Sequence, residues 1–128
     1  MNRVQIEDWL FRLRIKNYII NDNGVVDVEG DVDLYNRQLT AIPVQFGYVS
    51  GNFHCNYNLL TSLKGSPREV GGDFYCGGNL LTSLRDGPRE VGGVFLCSGN
   101  KMQTRPDHSF INIGGGFGWL SGRESFHI

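Results

Sequence analysis

The stretch Asn58-Leu-Leu-Thr-Ser-Leu-Lys-Gly-Ser-Pro-Arg-Glu-Val-Gly-Gly-Asp-Phe-Tyr-Cys76 returns almost letter for letter as Asn79-Leu-Leu-Thr-Ser-Leu-Arg-Asp-Gly-Pro-Arg-Glu-Val-Gly-Gly-Val-Phe-Leu-Cys97. A unit this short cannot bury an apolar face alone and must stack on its neighbours, so the repeat dictates a solenoid. Asn58, Asn79 and Asn100 are spaced by 21 residues, as are Cys55, Cys76 and Cys97, and no insertion interrupts the step.

Extended backwards, the same step aligns Val28, Val49, Val70 and Val91, then Gly30, Gly51, Gly72 and Gly93, then Val32, Phe53, Phe74 and Phe95. Leu34 falls in the cysteine column, Leu39 in that of Leu60, Leu81 and Met102, and Ile42 in that of Leu63 and Leu84. Within a coil, Phe-x-Cys alternates with period two, so Phe74 and Cys76 are predicted inward and Asp73, Tyr75 and Gly77 outward. Each coil is expected to supply one short strand, paired in parallel with its neighbour about 4.8 Å away. With one inserted residue, Ile113-Gly-Gly-Gly-Phe-Gly-Trp119 matches Val91 to Cys97, giving five strands in all. The Leu-Thr-x-Leu segment and the following Gly/Pro turn carry two more inward leucines and leave no room for a helix.

A solenoid's ends expose apolar rungs and strand edges, so caps are required. Ile6, Trp9, Leu10 and Leu13 fall at helical spacing within residues 4–15, predicting an amphipathic helix over the first coil. Tyr18-Ile-Ile20, Asn21 to Gly24 and Val25 to Val28 read as a hairpin, since Asn-Gly tolerates the positive φ of a tight turn. Arg105-Pro-Asp107 breaks the pattern, and Ser109 to Ile113 with Phe117, Trp119 and Leu120 would close the last rung. The chain is thus expected to be a single domain, mainly β with an N-terminal helix: cap 1–27, repeat coils 28–104, C-terminal cap 105–128.

At 128 residues the length fits one domain with its own core. Lys and Arg total 12 against 13 Asp and Glu, a formal charge of −1 that gives no general footprint for nucleic acid. No apolar run approaches the roughly 20 residues of a membrane span, and Met1 leads into polar Asn2-Arg3 without a signal core. A cytoplasmic protein with reduced thiols is expected, because the three cysteines occupy one repeat position and form no even-numbered framework. Without a fourth ligand they make no zinc site, and no cofactor is implied. Asn58, Asn79 and Asn100 sit where the strand must bend, where a buried amide can bond the backbone of two coils.

Read as Phe74-x-Cys76-x-x-Asn79-x-Leu81-Thr82-x-Leu84, the unit resembles the strand and bend of leucine-rich repeats, in particular the short kind of bacterial effectors, over roughly residues 28–104. The resemblance implies an Asn bend at Asn58, Asn79 and Asn100; the first coil has Arg37 there, with Asn36 one place early as a substitute. Asp27 to Leu34, Leu39 to Gly47 and the Leu-Thr-Ser-Leu-x-x-x-Pro-x-x-Val-Gly-Gly coils are similar to small repeat proteins of tailed bacteriophages. That likeness implies a phage-encoded protein that modulates or inhibits a bacterial host protein, with a defence-system protein as one candidate. Effector-type ligase chemistry is not implied, since no catalytic segment is appended.

Outward strand positions form two stripes: Asp31, Asn52, Asp73 and Val94, and beside them Asp33, His54, Tyr75 and Leu96. An acidic end, a central aromatic and an apolar end suit a protein partner, since Tyr-type anchors dominate interface energies. These eight residues are the candidate partner-binding site. Arg68 and Arg89 stack one coil apart, as do Glu69 and Glu90, suggesting a cross-coil ion network or, alternatively, an edge that recognises an acidic partner. Asp33 and His54 could form a general-base pair, but no nucleophile or oxyanion donor converges on them, so no catalytic residue is assigned. Gly114-Gly-Gly116 lacks the Lys-Ser/Thr of a phosphate loop. His108 and His127 show no ligand spacing. The expected function is a non-enzymatic interaction module, monomeric or weakly oligomeric, acting by occlusion. Self-assembly through open edges is the alternative. A nucleic-acid mimic using Asp27, Glu29, Asp31 and Asp33 is a further one.

Overall fold

A computed structural model describes residues 1–120. Helix α1 (Arg3–Arg12) begins with a capping box: Asn2 Oδ1 accepts from the Gln5 amide at 2.9 Å, and Gln5 Oε1 accepts from the Asn2 amide at 2.8 Å. Two orphan donors of the first turn are thereby satisfied. The helix buries Ile6, Trp9 and Leu10 and leaves Val4 and Phe11 in solvent. Trp9 packs on Phe46 with ring centroids 6.3 Å apart, so the helix lies over the first coil as its apolar spacing predicts. The hairpin follows as β1 (Tyr18–Ile20) and β2 (Val26–Val28), antiparallel, with Gly24 at φ +83° in its turn.

Each coil then contributes two strands, where one was expected. The first ladder runs β1, β2, β4 (Phe46–Val49), β6 (Glu69–Val70), β8 (Glu90–Val91) and β10 (Asn112–Ile113). The second runs β3 (Val32–Asp33), β5 (Phe53–His54), β7 (Phe74–Tyr75), β9 (Phe95–Leu96) and β11 (Phe117–Gly118). Every pairing but the hairpin is parallel. The five predicted strands are those of the second ladder, and Phe117 pairs with Phe95, which places the inserted residue as the sequence alignment requires. The additional ladder arises because Gly-Gly corners let successive coils approach there: a Cβ on Gly92 would collide with the Gly71 carbonyl, and one on Gly71 with that of Ser50. The hairpin strand β2 is itself a rung, so the cap and the coils share one sheet.

The core is a set of columns along the solenoid axis. Phe53, Phe74 and Phe95 are buried and stacked, with centroids 5.6 and 4.9 Å apart, and Phe117 continues the stack at 5.6 Å. Cys55, Cys76 and Cys97 are buried free thiols beside them. Burial holds the Cys55 and Cys76 thiols far above the ordinary range and pushes Cys97 up to about 12. Leu60, Leu63, Leu81 and Leu84 close the interior from the return segment.

The buried asparagines tie coils together as expected. Asn79 Oδ1 accepts from the Leu60 amide at 3.0 Å, while its Nδ2 donates to the carbonyls of Cys55 at 3.0 Å and Cys76 at 3.1 Å. Asn100 repeats the pattern with Leu81, Cys76 and Cys97. Asn58 does so with Leu39, Leu34 and Cys55. Asn36 does not substitute in the first coil: it is exposed at φ +53°, with no side-chain bond among the described residues. No earlier repeat coil lies beneath it whose carbonyl a buried amide could bond.

At the far end, Ile111 is buried but Phe110 is exposed. His108 stacks on Phe117 at 3.7 Å, and the Arg105 guanidinium lies 5.0 Å from the same ring, so these polar side chains cover the last rung together with half-buried Trp119 and Leu120. Residues 121–128 of the predicted cap, His127 among them, lie outside the described residues.

Candidate functional site

The two predicted stripes sit on the outer face of the second ladder, but they have different roles. In the first, Asp31 Oδ1 accepts from the Asn52 amide at 2.7 Å, Asn52 Oδ1 from the Asp73 amide at 2.8 Å, and Asp73 Oδ1 from the Val94 amide at 2.8 Å. Each side chain therefore satisfies a backbone donor one coil ahead. Its oxygen lies where a Cβ on the preceding glycine of that coil would stand: Asp31 over Gly51, Asn52 over Gly72, Asp73 over Gly93. Asp27 repeats the arrangement in the first ladder, over Gly47 and bonded to the Tyr48 amide at 2.8 Å. The stripe is a second polar ladder, external to the asparagine ladder, and ends at Val94, whose side chain accepts nothing.

The second stripe presents its side chains outward as an aromatic and apolar column. His54 and Tyr75 are register partners, and their rings stack 4.8 Å apart at 19°. The Tyr75 hydroxyl donates to Asp73 Oδ2 at 2.8 Å, which fixes the phenol against the strand face. That bond holds the Tyr75 pKa above its ordinary value, with desolvation and the Asp73 charge adding to the rise. Leu96 continues the column and lies over Gly118, where a Cβ would come within 2.5 Å of Leu96 Cδ2. Asp33 does not pair with His54: its Oδ1 instead accepts from the Tyr35 amide at 3.0 Å, a local turn.

Two aromatics that the repeat alignment left out extend this surface. Tyr35 and Tyr57 pack edge to face at 5.6 Å at the bend after the strand, and are 49% and 59% exposed. They are 22 residues apart, one step out of register, which hid them. The available signal was Gly78 in the next coil: its Cβ would stand 2.6 Å from Tyr57 Cδ1, so the glycine makes room for the ring.

The expected cross-coil ion network is absent among the described residues, whose ion pairs are Arg3–Glu7 and Arg12–Asp8 on α1. Arg68 precedes β6 and faces the return edge, whereas Glu69 belongs to the sheet, where it meets Glu90. A hydrogen bond with Glu90 raises the Glu69 pKa, with desolvation and the Glu90 charge adding to the rise.

Compared with protein-family models, curated proteins and solved structures, the chain matches none. Among the described residues, no helix is long and apolar enough to cross a membrane.

Proposed function

We propose that this chain is a non-enzymatic protein-binding module, phage-encoded and acting in the host cytoplasm, that occludes a bacterial host protein with its strand face. The observation that carries the reading is the immobilised aromatic surface: His54 stacked on Tyr75, Tyr75 tethered to Asp73, Tyr35 against Tyr57, with Leu96 alongside. Rigid aromatics contribute large contact area at low entropy cost, which is what interface anchors require. Of the eight residues, His54, Tyr75, Val94 and Leu96 are the contact surface proper, Asp31, Asn52 and Asp73 are its scaffold, and Asp33 shapes the local turn that leads to Tyr35.

The same geometry weighs against the other two readings. Edge strand β3 is only two residues long and carries exposed Asp33 with exposed Asp31 just before it, a pattern that discourages edge-to-edge pairing. Asp27, Glu29, Asp31 and Asp33 fall within a single coil, too short a span to imitate the phosphates of a duplex.

The test is capture from bacterial lysate by the wild type and by a Tyr75→Ala/Leu96→Ala variant, with urea midpoints confirming that both fold. A partner retained by the wild type and lost by the variant supports the strand face. Equal recovery by both removes it.

A further inference from the structure

The return edge of the coils carries a second surface, independent of the strand face. Lys64 and Arg85 occupy one column and Arg68 and Arg89 another; all four are exposed, and none makes an ion pair among the described residues. Two clefts, of about 740 and about 750 Å³, open along these columns and meet at Asp86, Gly87 and Arg89. The first is walled by Lys64 and Arg68, the second by Arg85, Arg89 and Arg105 around Met102, Pro106 and Phe110.

The carboxylates on this groove are Asp86 and Asp107, and Asp107 Oδ1 is already occupied by the amide and hydroxyl of Ser109, at 3.0 and 2.7 Å. Five cationic side chains therefore face two carboxylates in a molecule whose formal charge is −1. Arg105 lies over the Phe117 ring, but Lys64, Arg68, Arg85 and Arg89 make no ion pair among the described residues. Columns of like charge on adjacent coils repel weakly in water, and an anionic partner would relieve that repulsion. The guanidinium fork matches a carboxylate in bidentate fashion, and three of the five are near the partly exposed Phe110 ring. From the Lys64 and Arg68 row to the Arg105 row the groove crosses two coil spacings, about 10 Å, the length of about three residues of extended chain.

We propose that this groove docks a short, extended acidic peptide segment of a protein partner, with carboxylates on the arginine columns and an apolar side chain against Phe110 and Met102. The charge complementarity selects the ligand class, and the cleft beside Phe110 adds a preference for an apolar residue at one end.

The probe is a fluorescein-labelled peptide, Glu-Asp-Glu-Phe-Glu-Asp, followed by anisotropy, with Gln-Asn-Gln-Phe-Gln-Asn and an oligothymidylate as comparators. Wild type should bind the acidic peptide, less tightly as salt rises, and should ignore the amide version. Arg85→Gln/Arg89→Gln should weaken binding by about tenfold. Arg85→Lys/Arg89→Lys should recover only part of it, and Tyr75→Ala should bind as wild type does. Failure of wild type to bind the acidic peptide overturns the proposal, as does equal binding by the Gln variant. Tighter binding of the oligothymidylate assigns the groove to nucleic acid instead. Salt-sensitive self-association that the Gln variant abolishes, seen by light scattering, assigns it to a second copy.

Discussion

Replacing Asn79 by Ala removes the centre of the internal amide ladder, and the cost can be worked from its bonds. The Leu60 amide, buried, has no acceptor other than Asn79 Oδ1 among the described residues. An orphaned buried donor costs about 1–3 kcal/mol. The carbonyls of Cys55 and Cys76 each keep a second amide donor, from Asn58 and Asn100, so each loses only an ordinary net bond, about 1 kcal/mol. Together this is about 4 kcal/mol, a large part of the roughly 5–15 kcal/mol that holds a small domain folded. Urea unfolding followed by circular dichroism should show the midpoint falling with an unchanged slope. Asn56→Ala is the internal control: its Oδ1 is buried without a partner, so truncation should cost nothing or slightly stabilise. A loss below about 1 kcal/mol for Asn79→Ala, or equal losses for the two variants, would refute the reasoning.

Four further outcomes are expected. Gly72→Ala should destabilise by about 1–3 kcal/mol, because its Cβ would displace Asn52 Oδ1 and press on the Gly51 carbonyl at 2.9 Å; a midpoint matching wild type contradicts the outer ladder. The three thiols should resist a disulfide-exchange reagent in buffer and react fully in urea; rapid reaction of the native protein would show them exposed. Their folded pKa values are raised, so the unfolded chain releases protons first and stability should fall as pH rises above about 8.5; an urea midpoint flat through that range refutes the assignment. Glu90→Gln should raise the midpoint at neutral pH by relieving Glu69, and the gain should vanish in acid, where both carboxyls of the wild type are protonated; a gain that persists there has another cause.

The inward columns were legible because a constant step puts identical residues in register and period two assigns their side. Phe53, Phe74, Phe95, the cysteines and the bend asparagines all lie where that logic puts them. The first ladder was not legible: Glu69–Val70 and Glu90–Val91 are two-residue strands with a single inward valine, too short to show alternation, and the glycines after them read as turns. The roles of Asp31, Asn52 and Asp73 escaped for a different reason. Their bonds reach an amide in the next coil, so the signature is an Asp or Asn followed one coil later by a glycine, visible only once the coils are stacked. Arg68 and Glu69 are adjacent in sequence, but the first serves the return edge and the second the sheet face, which is why adjacency suggested an ion network that the fold does not make.

The stacking itself is open to direct measurement by through-hydrogen-bond scalar couplings in isotope-labelled protein. Couplings should link the amides of Phe53, Cys55, Phe74 and Cys76 to the carbonyls of Asp73, Tyr75, Val94 and Leu96 in that order, the constant offset of parallel coils. Couplings in the reversed order of antiparallel hairpins, or none between these segments, would contradict the solenoid and remove the basis of the proposed binding face.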